Sequence, residues 1–253
     1  MEIYILASGS KGNATLISDG RFPFLIDCGI SRKMLVERLS DTPYKIDDIQ
    51  FVLFTHDHSD HISGSSIFPK EKEYSLNGVL DLPKENILKL EEERKIFTYQ
   101  ITPIPTSHDA NRLFNETCGF LIKNNGESLL YMTDTGLIFE DTFAYLKDLN
   151  YYIIESNHDV RMLFRTNRPP ELIARILSDV GHLSNEDSAL YMSSFVGPNT
   201  KEIVLAHLSE EANDEEHALA AYDRIFKRLR VDFDVTKIKC ANQHRVVCAG
   251  DAK

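Results

Sequence analysis

The stretch Phe51-Val52-Leu53-Phe54-Thr55-His56-Asp57-His58-Ser59-Asp60-His61 opens with four apolar residues and closes with three histidines and two aspartates. Three of the chain's nine histidines thus fall within six positions. At that frequency, three histidines at set offsets arise by chance about 0.01 times in such a chain. The apolar run is strand-sized, so the cluster lies where a strand ends and its loop opens, with Ile62-Ser63-Gly64 leading on. Alternate side chains of an extended segment point the same way, so His56 and His58 can reach one cation. Asp60 and His61 come from the turn that follows and can reach a second.

Imidazole suits Zn, Mn or Fe, and a carboxylate hardens a site toward Mn or Fe. Structural zinc sites are more often closed and rich in cysteine. Cys28, Cys118, Cys240 and Cys248 all lie away from the cluster in the sequence, which favours an open, catalytic site over a closed one. The plainer alternative, a set of surface or helix-capping polar residues, does not account for the spacing. Three further residues follow apolar runs in the same way: His108 after 101–106, Asp134 after 128–133 and His207 after 202–206. Taken singly, each reads equally well as a hydrogen-bonded turn residue. Their recurrence at strand ends is what a site on one edge of a sheet sandwich requires. Two dications about 3.5–4 Å apart repel and need a bridging anion, and Asp134 is the expected bridge.

Outward from this centre, the 253 residues alternate short β runs with helical patterns. Strands are expected at 3–7, 14–18, 22–27, 50–55, 101–106, 118–123, 128–133, 151–155, 202–206, 231–235 and 245–249. Helices are expected at 32–39, 84–95, 171–180, 186–195 and 215–229. Strands in both halves with helices between them give an α/β (α+β) class of two packed sheets covered by helices. No linker or composition break divides residues 1–253, so one domain is expected.

A net charge of −11 excludes a general nucleic-acid coat or an anionic-membrane binder. It does not exclude a nucleic-acid substrate, because a metal or local basic patch can attract phosphate on an acidic protein. The one basic stretch near the motifs carries Arg161, Arg165, Arg168 and Arg175, either a guide for a phosphate chain or a solvated loop. No run approaches the roughly 20 apolar residues of a membrane span. The start shows no cationic segment, and there is no C-x-x-C pair. The simplest reading is a cytoplasmic protein with reduced thiols and no membrane partner.

The cluster 55–61 with Asp27, His108, Asp134 and His207 resembles the metallo-β-lactamase superfamily. The match extends to its bacterial YycJ (WalJ)-type metallohydrolases through Leu6-Ala7-Ser8-Gly9-Ser10, Gly12-Asn13-Ala14-Thr15, Ile26-Asp27-Cys28-Gly29 and Thr133-Asp134-Thr135-Gly136. Further blocks are Glu155-Ser156-Asn157-His158-Asp159, Gly181-His182-Leu183-Ser184-Asn185-Glu186-Asp187 and Ala206-His207-Leu208-Ser209. The resemblance implies a four-layer αββα metallo-β-lactamase-type sandwich and a metal-dependent hydrolase acting as an exonuclease on DNA or RNA. It implies two divalent ions, one held by His56, His58 and His108, the other by Asp60, His61 and His207, with Asp134 between and a metal-bridging hydroxide as nucleophile. Asp60 would orient that hydroxide, and Asp27 would orient a ligating histidine. Diiron flavoproteins of this fold resemble His-x-Glu where this chain has His56-Asp57-His58.

As in the related tRNA 3′-processing endonucleases, Glu155 and His182 would act at the leaving group. Ser184 and Asp187 form a capping-box pattern, which sets His182 just before a helix N-terminus that favours anions. His158, Ser184, Arg161 and Arg165 are substrate-binding or supporting candidates. The segment Thr166-Asn167-Arg168-Pro169-Pro170 departs from the aromatic-rich family pattern, so base stacking there is not implied. Two alternatives stay open: a hydrolase of cyclic phosphodiesters, lactones or thioesters, and a non-catalytic metal-binding regulatory protein. Open sandwich edges can also pair into a homodimer.

Overall fold

The structure, a computed structural model, describes residues 1–109 and 116–252. In chain order the strands are β1 (Glu2–Ala7), β2 (Ala14–Ser18), β3 (Phe24–Ile26), β4 (Val52–Phe54), β5 (Glu73–Leu76), β6 (Ile87–Leu88) and β7 (Arg94–Ile96). There follow β8 (Tyr99–Pro105), β9 (Cys118–Asn124), β10 (Glu127–Met132), β11 (Tyr151–Glu155), β12 (Glu202–Ala206), β13 (Ile238–Cys240) and β14 (Val247–Gly250). The helices are α1 (Arg32–Leu39), α2 (Ser59–Ile62), α3 (Phe143–Leu146), α4 (Val160–Leu163), α5 (Pro170–Ile176), α6 (Asn185–Phe195) and α7 (Glu215–Leu229). Among the described residues the strands form two seven-stranded sheets, ordered β14-β1-β2-β3-β4-β5-β6 and β13-β12-β11-β10-β9-β8-β7.

The period-2 pattern explains the layers. In β11, Tyr151 and Ile153 face the core between the sheets, whereas Tyr152 and Ile154 face a second core under α6 and α7. In β12, Val204 and Ala206 face inward and Ile203 and Leu205 outward. Both faces of this sheet are therefore covered, which is why its parallel strands read as continuous apolar runs. Helix α7 buries Ala218, Ala221, Tyr222, Ile225 and Phe226, one face at helical spacing, against Ala189, Met192 and Phe195 of α6. On the other side α1 buries Leu35 and Leu39. The result is the expected αββα sandwich.

Strand direction places the site. β3 and β4 run parallel, and so do β10, β11 and β12. β8 runs with β10, because β9 is antiparallel to both. The carboxyl ends of β3 and β4 in one sheet, and of β8, β10, β11 and β12 in the other, bring their following residues to one end of the sandwich.

Two expected elements are corrected. Residues 84–95 do not form a helix: a short 3-10 turn at Lys84–Asn86 leads into β6, and Arg94–Ile96 pairs with β8. The buried Asn86 amide donates to the carbonyls of Lys70, Glu71 and Glu73, and Glu91 takes a left-handed backbone (φ 59°) that breaks a helix. Residues 231–235 are not a strand. Left-handed Arg230 ends α7, Val231 N–H returns to the Phe226 carbonyl, and Asp234 caps a turn at Val235–Lys237. The strand beside β12 is Ile238–Cys240. Helix α5 also ends at Ile176, short of the expected 180.

Candidate metal centre

The cluster after β4 is shaped by close backbone packing. Asn13 N–H donates to the Asp60 carbonyl at 2.8 Å, and Gly29 N–H donates to the Asn13 carbonyl at 2.8 Å. A Cβ on Gly29 would fall 1.6 Å from the Asp60 carbonyl oxygen, so only glycine lets this turn sit against the β3 loop. Ser59–Ile62 then forms the single helical turn that lifts Asp60 and His61 above His56 and His58. Asp27, Asp134 and His207 share a second device. Each lies just past a strand with φ of 58°, 55° and 56°, a left-handed conformation costing a non-glycine residue on the order of 1 kcal/mol.

Hydrogen bonds fix which ring nitrogen each histidine presents. Thr55 Oγ1 lies 3.1 Å from both Asp27 carboxylate oxygens and 2.9 Å from His56 Nδ1. The hydroxyl donates to Asp27 and accepts from His56, leaving buried His56 Nε2 without a hydrogen-bond partner. His108 Nδ1 donates to the Gly181 carbonyl at 3.0 Å, which turns Nε2 to within 3.3 Å of His58 Nδ1. Ligand atoms of His56, His58 and His108 lie within 4.8 Å of one another, as do those of Asp60, His61 and His207.

Between them lies Asp134. His61 Nδ1 is tied to Asp27 Oδ2 at 2.8 Å, so its Nε2 faces Asp134 Oδ2 at 3.1 Å and Asp60 Oδ2 at 3.6 Å. In the neutral ring these three atoms are all acceptors; the Asn13 amide reaches His61 Nε2 at 3.0 Å, and a cation would neutralise the two carboxylates that converge there. Burial opposes charge on His61, but Asp27 and Asp134 outweigh it and push the pKa up to about 10. Likewise burial is outweighed at His207 by Asp134, Asp60 and Glu155, and its pKa rises well above the usual value. Without a metal these rings take up protons in the place of one. His56 is the opposite case: burial and the neighbouring imidazoles hold it neutral, ready to ligate. The orphaned atoms Asp134 Oδ2, His56 Nε2 and His207 Nε2 therefore fit a divalent ion.

Glu155 is fully buried yet saturated. Its Oε2 accepts from Thr135 N–H at 2.9 Å and Leu183 N–H at 3.3 Å, and its Oε1 from His182 Nδ1 at 2.8 Å and His207 Nδ1 at 2.9 Å. Burial alone would raise its pKa, but His182 and His207 hold it at about 2. With four donors already engaged, Glu155 orients two histidines, and its carboxylate also lies within 4.8 Å of the ligand atoms of Asp134, His182 and His207. His182 is partly exposed and lines a cleft of about 620 Å³ with His58, Asp60, His108, Asp134 and His207.

The structure does not bring every candidate to this cleft. Arg161 is outside the cleft lining, and Arg165 borders an adjoining hollow, with Thr166 and Asn167, that shares Arg168 and Glu211 with the cleft. Ser184 is the N-cap of α6, accepting from Asp187 N–H at 3.1 Å. His158 is 1% exposed, bridged to Ser184 through the backbone and 3.4 Å from Asn157 Oδ1, outside the cleft lining. Cys28 and Cys118 are distant in sequence but come to rest beneath the cluster, Cys118 Sγ lying 3.6 Å from the Thr55 carbonyl. Burial pushes the Cys28 thiol up to about 12 and the Cys118 thiol well above its usual value, so they remain thiols and join none of the donor groups found among the described residues. Asn13 Nδ2, 3.0 Å from His61 Nε2, and Asn157 Nδ2, 2.9 Å from the His207 carbonyl, stand in the motifs but had no assigned role.

Fold and donor set together define a metallohydrolase of sandwich type. The Beta-lactamase superfamily domain matches residues 23–207, and the chain belongs to that superfamily. It is 32% identical over 236 residues to Exodeoxyribonuclease YycJ of Bacillus anthracis, covering 88% of each chain. It is 33% identical over 229 residues to Exodeoxyribonuclease WalJ of Streptococcus pneumoniae, covering 85% of this chain and 84% of the relative. The metallo-beta-lactamase fold protein YhfI from Bacillus subtilis shares the fold, with a TM-score of 0.68 and 14% identity over 98% of both chains. The chain is therefore a YycJ/WalJ-type, metal-dependent hydrolase. Among the described residues no helix is long and apolar enough to cross a membrane.

Proposed function

We propose that the chain is a dinuclear metal-dependent phosphodiesterase that degrades nucleic acid as an exonuclease. The observation that carries this reading is His182, held by Glu155 at 2.8 Å and exposed in the same cleft as both donor groups. A nucleotide alkoxide is a poor leaving group and gains much from a proton, so a positioned donor suits phosphodiesters better than activated acyl bonds. The YycJ and WalJ relatives, each named an exodeoxyribonuclease, support the same substrate class.

His56, His58 and His108 would hold one ion and Asp60, His61 and His207 the other, with Asp134 shared. Bound there, divalent ions supply Lewis acidity and a water of lowered pKa. Asp60 faces the cleft and accepts the proton of the attacking water. Glu155 fixes His182 through Nδ1–H, so Nε2 is the atom that hands a proton to the departing oxygen. Asp27 and Thr55 keep His61 and His56 in the tautomers that leave Nε2 free.

The test is cleavage of end-labelled, 5′-phosphorylated single- and double-stranded DNA and RNA by manganese-loaded protein, with His58→Ala prepared identically. Stepwise products absent from the variant are expected. No cleavage by metal-loaded wild type overturns the nuclease reading in favour of a small cyclic phosphodiester or an acyl substrate.

A further inference from the structure

Of the four arginines at 161–175, Arg168 and Arg175 line the cleft that holds the metal donors. Arg168 places Nε 3.0 Å from Glu211 Oε2 and Nη2 3.3 Å from Ser209 Oγ. Ser209 lies two residues beyond His207, a member of one donor group. Arg175 makes a bidentate pair with Asp109, both contacts at 2.6 Å. Asp109 directly follows His108, a member of the other group. The two guanidinium groups are thus anchored on different strand-end loops, one beside each half of the centre, and each is held by a single rim carboxylate.

Guanidinium forks bind phosphate as readily as carboxylate, so a phosphate arriving in the cleft competes with Glu211 or Asp109 for a partner already pointing inward. One phosphate gains little by such an exchange. A strand that offers several phosphates gains twice, because the second contact forms at high effective concentration. Resting on the phosphodiesterase reading above, we propose that Arg168 and Arg175 grip backbone phosphates on either side of the diester being cut. Each is latched by its rim carboxylate until a nucleic-acid strand displaces it. The substrate then has to carry phosphates beyond the scissile one.

The test titrates a fluorescein-labelled phosphorothioate 12-mer against metal-loaded protein by anisotropy between 50 and 200 mM NaCl, in parallel with cleavage of the unmodified 12-mer. Arg168→Gln and Arg175→Gln should each weaken binding roughly tenfold and each flatten the slope of log Kd against log salt by about 0.7, the double variant by about 1.4. Arg224→Gln, on α7 and paired with Glu186, should change neither. Glu211→Gln should tighten binding severalfold by freeing Arg168, and Glu215→Gln, the same charge change at a site paired with Arg245, should not.

Unchanged slopes in both arginine variants overturn the proposal while leaving the nuclease reading intact if the wild type cleaves. Wild type that binds with the expected slopes but does not cut sinks the nuclease reading and keeps the grip. Should either variant fail to fold, single methylphosphonate linkages scanned along the 12-mer replace it. Loss of binding at linkages flanking the scissile one is expected, and loss confined to the scissile linkage overturns the grip.

Discussion

The two sheets furnish the centre in different ways. The N-terminal sheet delivers His56, His58, Asp60 and His61 within one loop after β4, braced by Asp27 after β3. The C-terminal sheet delivers His108, Asp134, Glu155 and His207 one at a time, each from its own strand end. Sequence proximity brings the first set together, and contacts from Asn13 and the β3 loop fix its turn. The second set meets because β10, β11 and β12 are in parallel register, with Met132 opposite Ile154 and Glu155 opposite Ala206, and because β9 holds β8 in the same direction. Proximity in sequence is thus no measure of importance at the centre, and the first prediction sets the two halves against each other.

His61→Ala from the contiguous loop and Asp134→Asn from a lone strand end should both reduce turnover on the order of 10³-fold or more, since each removes a donor facing the other across 3.1 Å. Metal analysis of purified protein should show a reduced content in both. A much milder Asp134 variant breaks the symmetry and demotes the bridge. His182→Ala should cost about 10²- to 10⁴-fold on a nucleotide leaving group and far less on a nitrophenyl ester. Equal losses on the two substrates remove its role as proton donor.

Positioning residues allow a finer comparison of the two sheets. Thr55→Val, which leaves His56 Nδ1 and Asp27 without their shared hydroxyl, should weaken metal affinity by about 10- to 100-fold. Asn157→Ala, which loses one bond to the His207 carbonyl while Glu155 still holds the ring, should sit at the lower end of that range. Competition with a chromophoric chelator measures both. The reverse order means that the contiguous loop needs less support than the scattered set.

The remaining comparison is in pH. In metal-free protein the folded-state pKa of His61 is raised from 6.5 to about 10. Its protonated form therefore contributes stability that is fully present below pH 6.5 and lost as pH rises toward 10. Thermal melts of chelated protein should fall across that window, and metal affinity should rise over it as the same proton is displaced. A flat melting profile over that window rules out the proton held between Asp27 and Asp134.

Much of this was legible in the chain because its signals are local. Strand-length apolar runs followed by His or Asp mark an edge site, and Ser184 with Asp187 marks the start of α6. Residues 84–95 misled because Ile87 and Leu90 stand at a helical spacing of three, while Ile87–Leu88 and Arg94–Ile96 belong to strands of different sheets. The stretch 231–235 misled because its alternating apolar residues, Val231, Phe233 and Val235, pack against the second core without pairing in a sheet. Glu155 could be assigned a position, but its four donors come from three different segments and no spacing encodes them.

The sequence by itself determined the strands that lead into the site and the residue types with metal-binding chemistry that follow them, because periodicity and donor type are properties of short segments. Only the tertiary structure decided where those donors point. It put Cys28 and Cys118 beneath the cluster as buried thiols, brought Arg168 and Arg175 to the cleft, and gave Glu155 four hydrogen-bond donors. The reason is physical: a side chain's direction past a strand end depends on a left-handed turn and on how two sheets pack, and neither is written in any one segment.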